Sequence, residues 1–210
     1  MTNITDYKNP FDAITDFESA LSKYTKAPYV VTTDCCSHAI ELCFRYLQYK
    51  EIINSDTVVE IPNRTYLSVP MIFQILKIPF KIVDFDWKFE YQFNPFNIWD
   101  SARLLAENMY MDGQMQCLSF GRTKPLEIGR GGAILLDNKD AYKWLKKSSY
   151  DGRDLSYIPW ENQINFNVGY HYMMRPEECI EGINKLNNLD ISNKYNHVYP
   201  NLSNLNINVQ

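Results

Sequence analysis

The chain has 210 residues of which 45% are hydrophobic, enough to bury one substantial core with at most a small appended lobe. A net charge of -4 argues against general nucleic-acid or anionic-membrane binding, both of which need a basic face. Five cysteines without disulfide-like spacing, no leader-like N-terminus and no long apolar run lead us to expect a reducing, cytoplasmic setting.

In chain order, the apolar spacing of PFDAITDFESALSKY predicts a helix, followed by a strand at YVVTT and an amphipathic helix at AIELCFRYLQY. TVVEIP reads as a strand, SVPMIFQIL as a helix and FKIVDFD as a strand, with WKFEYQFNP leading to the short strand that ends in Ile98-Trp99-Asp100. SARLLAENM is expected to be helical, then MQCLSF and GGAILLD to be strands, and KDAYKWLKKSSY and PEECIEGINKLNNLD to be helices. Such alternation favours a mostly parallel sheet covered by helices, with ligands at the strand ends. No internal repeat or zinc-type His/Cys pattern is present, and the Asn-rich stretch after Leu186 is the clearest linker. Cys117 and Cys179 read as core packing residues.

Five places carry candidate chemistry. Lys124 sits on a tight connection between two strands, just before Gly129, Gly131 and Gly132. Asp100 ends a strand, where it serves either a ligand or the N-terminus of the following helix. Cys35 and Cys36 stand where a strand runs into a helix, a junction whose free N–H groups and dipole favour a phosphate; equally, they are small buried hydrophobes with Asp34 as an ordinary cap. A nucleophilic cysteine there lacks an acid or base placed by sequence. Tyr66 follows Thr65 in a loop after TVVEIP, and His171 lies in the run Val168-Gly169-Tyr170-His171-Tyr172-Met173-Met174, as a ligand or as a polar surface residue.

Ser119, an aromatic residue, three more residues, Lys124 and then the glycine cluster resemble the DegT/DnrJ/EryC1/StrS family of sugar aminotransferases, which use pyridoxal phosphate (PLP). The other four places follow in the family's order, so the resemblance runs from about Pro28 to Leu189. It implies an α/β fold of the aspartate aminotransferase-like PLP-dependent transferase type, with a mostly parallel sheet flanked by helices and a truncated C-terminal lobe. It also implies a shortened PLP-binding domain over 1–165 and a remnant of the C-terminal segment over 166–210.

The resemblance implies that Lys124 bonds the cofactor covalently, which requires a lysine whose pKa is lowered by desolvation or a nearby cation. Asp100 would keep the pyridine nitrogen protonated, Tyr66 would stack on the ring, and Ser119 with the Cys35 and Cys36 backbone would bind phosphate. Arg103 stands where relatives carry glutamine or histidine near the phenolic oxygen, and His171 where their asparagine reaches a neighbouring subunit's cofactor. The implied reaction moves an amino group from an amino acid, with glutamate the expected donor, to a nucleotide-linked keto sugar in a homodimer. Relatives that dehydrate their sugar replace the lysine with histidine, so Lys124 favours transamination. The alternative is a degenerate PLP-fold protein with a binding or regulatory role, prompted by the shortening and by Arg103, Cys36 and Met173.

Overall fold

The structure is a computed structural model that describes residues 1–154, 159–189 and 198–204. Strands β1 (Tyr29–Thr33), β2 (Val59–Pro62), β3 (Phe80–Val83), β4 (Tyr91–Gln92), β5 (Ile98–Asp100), β6 (Met115–Ser119) and β7 (Gly132–Leu136) alternate with helices α1 (Asp12–Thr25), α2 (Cys36–Tyr49), α3 (Ser68–Leu76), α4 (Lys139–Ser148) and α5 (Pro176–Leu186). The main sheet has the order β1-β7-β6-β5-β4, and β2 with β3 forms a second, parallel pair. The Glu60 N–H donates to the Asn94 carbonyl at 2.9 Å, tying the pair to the main sheet.

Alternation along the strands places the core on both faces. Val31, Cys117, Ile134 and Leu136 pack with α2 and α3, whereas Val30, Leu118, Ala133 and Leu135 pack with Phe17 and Leu21 of α1 and Cys179 of α5. Cys117 and Cys179 are fully buried, as their apolar neighbours in sequence predict.

Two expectations are corrected. The main sheet is mixed rather than mostly parallel: β1 with β7, β6 with β7 and β4 with β5 are antiparallel, and β5 with β6 is parallel. The physical reason lies in the connections. The turn carrying Lys124 holds no crossover helix, so β7 returns beside β6; WKFEYQFNP supplies β4, which a short loop folds back onto β5.

The second correction concerns SARLLAENM, which forms turns instead of a helix. Its backbone donors go elsewhere. Asn108 N–H donates to the Tyr24 carbonyl and Tyr110 N–H to the Thr25 carbonyl, each at 3.0 Å, satisfying acceptors that the C-terminus of α1 leaves open. Leu105 is the buried anchor of this crossing.

The first residue of β7 sets the distance between the sheet and α2. A Cβ on Gly132 would lie 2.6 Å from both Cys35 C and Cys36 N, a backbone contact that no side-chain movement relieves. We therefore expect Gly132→Ala to cost about 1–3 kcal/mol, read as a fall of several degrees in melting temperature, and to weaken any anion bound at the α2 N-terminus. An unchanged melting curve would show that β7 and α2 can part at no cost.

Candidate active site

A cavity of about 410 Å³ opens where the C-terminal ends of β1, β5 and β6 meet the first turns of α2 and α3. Cys35, Cys36, Tyr66, Asp100, Ser119 and Lys124 all line it, so six of the eight residues singled out in the sequence come together. Arg103 sits at the rim, its guanidinium 5.4 Å from the ring centre of Trp87 and 5.8 Å from that of Tyr199, two further lining residues.

Lys124 is held by a compact turn. Its N–H donates to the Gly121 carbonyl at 3.3 Å, and the Phe120 carbonyl accepts from Ile128 and Gly129. The preceding Thr123 has φ +70°, a left-handed conformation that a β-branched residue rarely adopts. The Lys124 side chain is half-buried, with Nζ 3.4 Å from the Tyr199 hydroxyl. Burial holds its ammonium below the ordinary lysine range; Arg103 pushes the same way, and Asp100 and Cys36 oppose it.

Asp100 is 5% exposed. With SARLLAENM not helical, it caps no helix, though its Oδ1 accepts the Ala102 N–H at 3.0 Å. Its Oδ2 accepts from the Tyr91 hydroxyl at 2.8 Å, which in turn pairs with Thr65 Oγ1 at 2.6 Å. Burial pushes the Asp100 carboxyl up, countered by those hydrogen bonds and by the charges of Lys124 and Arg103. Burial and Asp100 push the Tyr91 phenol up as well, so it stays a neutral donor. Tyr91 comes from β4, and no motif marked it.

The N-terminus of α2 lines one end of the cavity. Its N-cap is Cys35, which makes no side-chain cap hydrogen bond, so the first-turn N–H groups face the cavity uncapped by it. Ser37 and Ser68, at the starts of α2 and α3, pair through their hydroxyls at 2.6 Å beside those donors. Cys36 turns its thiol inward to the Cys117 carbonyl at 3.5 Å and offers the cavity little beyond its backbone. Asp34 is not the cap: its carboxylate pairs with His38 and Arg130.

His171 does not reach the cavity. Its side chain is 74% exposed and its Nδ1 lies 3.2 Å from Asp151 Oδ1. The neighbouring Tyr172 is the one that meets α2: its carbonyl accepts the Asp34 N–H at 2.7 Å and its ring stacks on His38 at 3.6 Å. A bridge between Tyr150 and His171 fixes this register and turns His171 outward.

Tyr66, Trp87 and Tyr199 form an aromatic rim. Tyr199 stacks on Trp87 at 6.0 Å and meets Tyr66 edge-on at 6.2 Å. Trp87 Nε1 donates to the Arg64 carbonyl and Arg64 donates to the Tyr199 carbonyl. Leu202, 2% exposed, anchors this piece by donating its N–H to the Asn63 carbonyl. The expected Asn-rich linker is thus partly packed structure; its residues 190–197 and 205–210 lie outside the described ones. Nothing in the sequence pattern placed Trp87 or Tyr199 here.

Residues 109–200 match the model of the DegT/DnrJ/EryC1/StrS aminotransferase family. Among solved structures the chain is similar to 3-amino-5-hydroxybenzoic acid synthase, at 17% identity over 84% of this chain and 56% of that one, with a TM-score of 0.62. It is also similar to the sugar aminotransferase CalS13 of Micromonospora echinospora (13%, 84% and 61%, TM-score 0.65). A third is Escherichia coli GDP-4-keto-6-deoxy-D-mannose-3-dehydratase, solved with hydrated PLP (14%, 83% and 60%, TM-score 0.67). The chain therefore spans less than two thirds of the length of these solved relatives. No curated protein matches the sequence. Residues 109–200 thus match the DegT/DnrJ/EryC1/StrS aminotransferase family model, and the described residues share the fold of these solved structures.

Proposed function

We propose that the protein is a PLP-dependent aminotransferase that moves an amino group from an amino acid, glutamate being the expected donor, to a nucleotide-linked keto sugar. The observation that carries this reading is the joint presence in one cavity of a lysine with a lowered pKa, a buried carboxylate and an uncapped helix N-terminus. The group fits this donor set: amine, acid and anion cup stand in one cavity of about 410 Å³, ringed by flat aromatic side chains. When bound, PLP supplies an aldehyde to the lysine and a ring that accepts an electron pair.

The chain's own residues do the rest. Lys124 holds the group, and its Nζ, once free, takes a proton from the substrate carbon and returns it. Asp100 would supply the negative charge for the ring nitrogen, and the Tyr91 hydroxyl steadies that charge. The α2 N-terminus, Ser37, Ser68 and Ser119 receive the phosphate, while Tyr66, Trp87 and Tyr199 restrict water at the mouth. Arg103 lowers the Lys124 pKa and so widens the pH range in which its amine is neutral.

The degenerate alternative draws on one observation, the Tyr199 hydroxyl standing 3.4 Å from Lys124 Nζ where a ligand would approach. Borohydride treatment after PLP addition separates the two readings. We expect a pyridoxyl mass on Lys124 alone, absent in Lys124→Ala, with capture extending below the pH at which free lysine reacts. Because the folded pKa is depressed, the neutral amine persists as pH falls below 10.5, the ordinary lysine value. No label, or label spread over other lysines, supports the degenerate protein.

Asp100→Asn keeps the shape and removes the charge. Amino transfer from glutamate to the cofactor should fall by on the order of a hundred-fold, as followed by absorbance, while the ligand-free protein at pH 7 melts no lower than the parent. Burial raises the Asp100 pKa, so the ionised form is a cost to folding at neutral pH that asparagine relieves. A lower melting temperature with unchanged transfer would reassign Asp100 to structure.

His171, exposed and outside the cavity, can serve the cofactor only in another protomer's site. We expect sedimentation velocity to show a homodimer in which His171→Ala weakens PLP binding. Full-strength binding by a monomer would remove His171 from the site.

A further inference from the structure

Three side chains beside the cavity have no part in that chemistry: Asp34, Cys35 and His38. Cys35, the extended N-cap residue of α2 (φ -164°, ψ 161°), is half-exposed and lines the cavity. Three residues on, the first helical turn brings His38 back over the cap. Its Nδ1 is 2.5 Å from Asp34 Oδ1, and its ring lies 3.6 Å from that of Tyr172 at 7°. Arg130 holds the other carboxylate oxygen of Asp34 at 2.5 Å and donates to its carbonyl at 3.1 Å. The imidazole is thus clamped by a carboxylate at one edge and an aromatic face. The Cys35 sulfur lies within 4.8 Å of both an imidazole nitrogen and a carboxylate oxygen.

The charged groups around the thiol are mostly cationic. Burial alone would lower the His38 pKa, but Asp34 and Cys35 outweigh it and push it up to about 10, which leaves an imidazolium at neutral pH. Burial raises the Asp34 carboxyl, and His38 and Arg130 more than reverse this, so it stays ionised. One carboxylate against an imidazolium, a guanidinium and the positive end of α2 leaves a net positive setting. The same two cations argue against a metal ion at this cluster, since Arg130 already neutralises the carboxylate and a protonated imidazole has no lone pair to give.

We propose that Cys35 is a reactive thiol, a modification site at which small α,β-unsaturated carbonyl compounds add to the protein with His38 as the proton donor. The sulfur, its proton lost to solvent, forms a bond to the β-carbon, the carbon–carbon double bond opens, and the resulting carbanion at the α-carbon takes the proton of the His38 imidazolium. No oxidant or leaving group is needed. The adduct stands at the N-cap of α2, so it fills the space over the first-turn N–H groups. Among the other cysteines, Cys36 is 9% exposed and Cys43, Cys117 and Cys179 are fully buried, which makes Cys35 the accessible thiol of the five.

The test needs no cofactor, so it stands or falls separately from the aminotransferase reading. The PLP-free protein is treated with N-ethylmaleimide at pH 7 and the labelled peptides are identified by mass spectrometry. We expect Cys35 to label first, about ten-fold faster than glutathione, and His38→Gln, checked for folding by circular dichroism, to lose most of that excess. Cys35→Ser should abolish the fast phase while the slow label of the buried thiols remains. Labelling of Cys35 no faster than glutathione, fast labelling at another cysteine, or an unchanged rate in folded His38→Gln would each overturn the proposal.

Discussion

The contact of Gly132 with the Cys35–Cys36 peptide is the constraint on which the candidate site depends. Gly132 pairs with Thr33 on one side and Ser119 on the other, so the ends of three strands meet at a residue with no side chain. The helix N-terminus can then lie directly on the sheet edge, and the Lys124 turn, which begins at Ser119, opens onto the same space. A side chain at this point would push the N-terminus of α2 away from the sheet edge and from the amine.

Against that rigid frame, Asp100 and Lys124 form a pair of opposite charges whose environments move them toward neutrality. Burial raises the acid and lowers the base, while their mutual attraction works the other way. The Thr65–Tyr91–Asp100 chain fixes the carboxylate, because the Tyr91 hydroxyl occupies one oxygen and the Ala102 N–H the other.

The elements whose hydrophobic period matches their environment were legible: β1, α2, α3, β6, β7 and α4 fall where alternation or helical spacing puts them. SARLLAENM has helical spacing yet makes no helix, because its backbone pairs with the end of α1, a long-range choice that local pattern does not encode. As cavity-lining positions, Asp100 and Ser119 were legible as strand ends, Cys35 as a helix start and Lys124 as a turn residue before a glycine cluster. Tyr91, Trp87 and Tyr199 were not, because a lone aromatic residue in a loop carries no period. At the run 170–172 the residue type drew attention to His171, while the bridge to Tyr150 gave the inward position to Tyr172. The acid beside Cys35 was hidden likewise: His38 lies one helical turn away, and its ring is held there by Asp34 and Tyr172.

The pairing of β1 with β7 also dictates an order of assembly. Tyr29 has Leu136 as its partner, so the first strand of the sheet has no neighbour until nearly two thirds of the chain has been made. Local contacts cannot close that ladder, and loop-closure entropy must be met before its hydrogen bonds form. Until then α1, whose apolar face rests on β1 and α5, has little to pack against. The anion cup at the head of α2 comes into being in the same event, since its floor is the first residue of β7. On this topology, acquisition of the binding site and completion of the sheet are a single late step of folding.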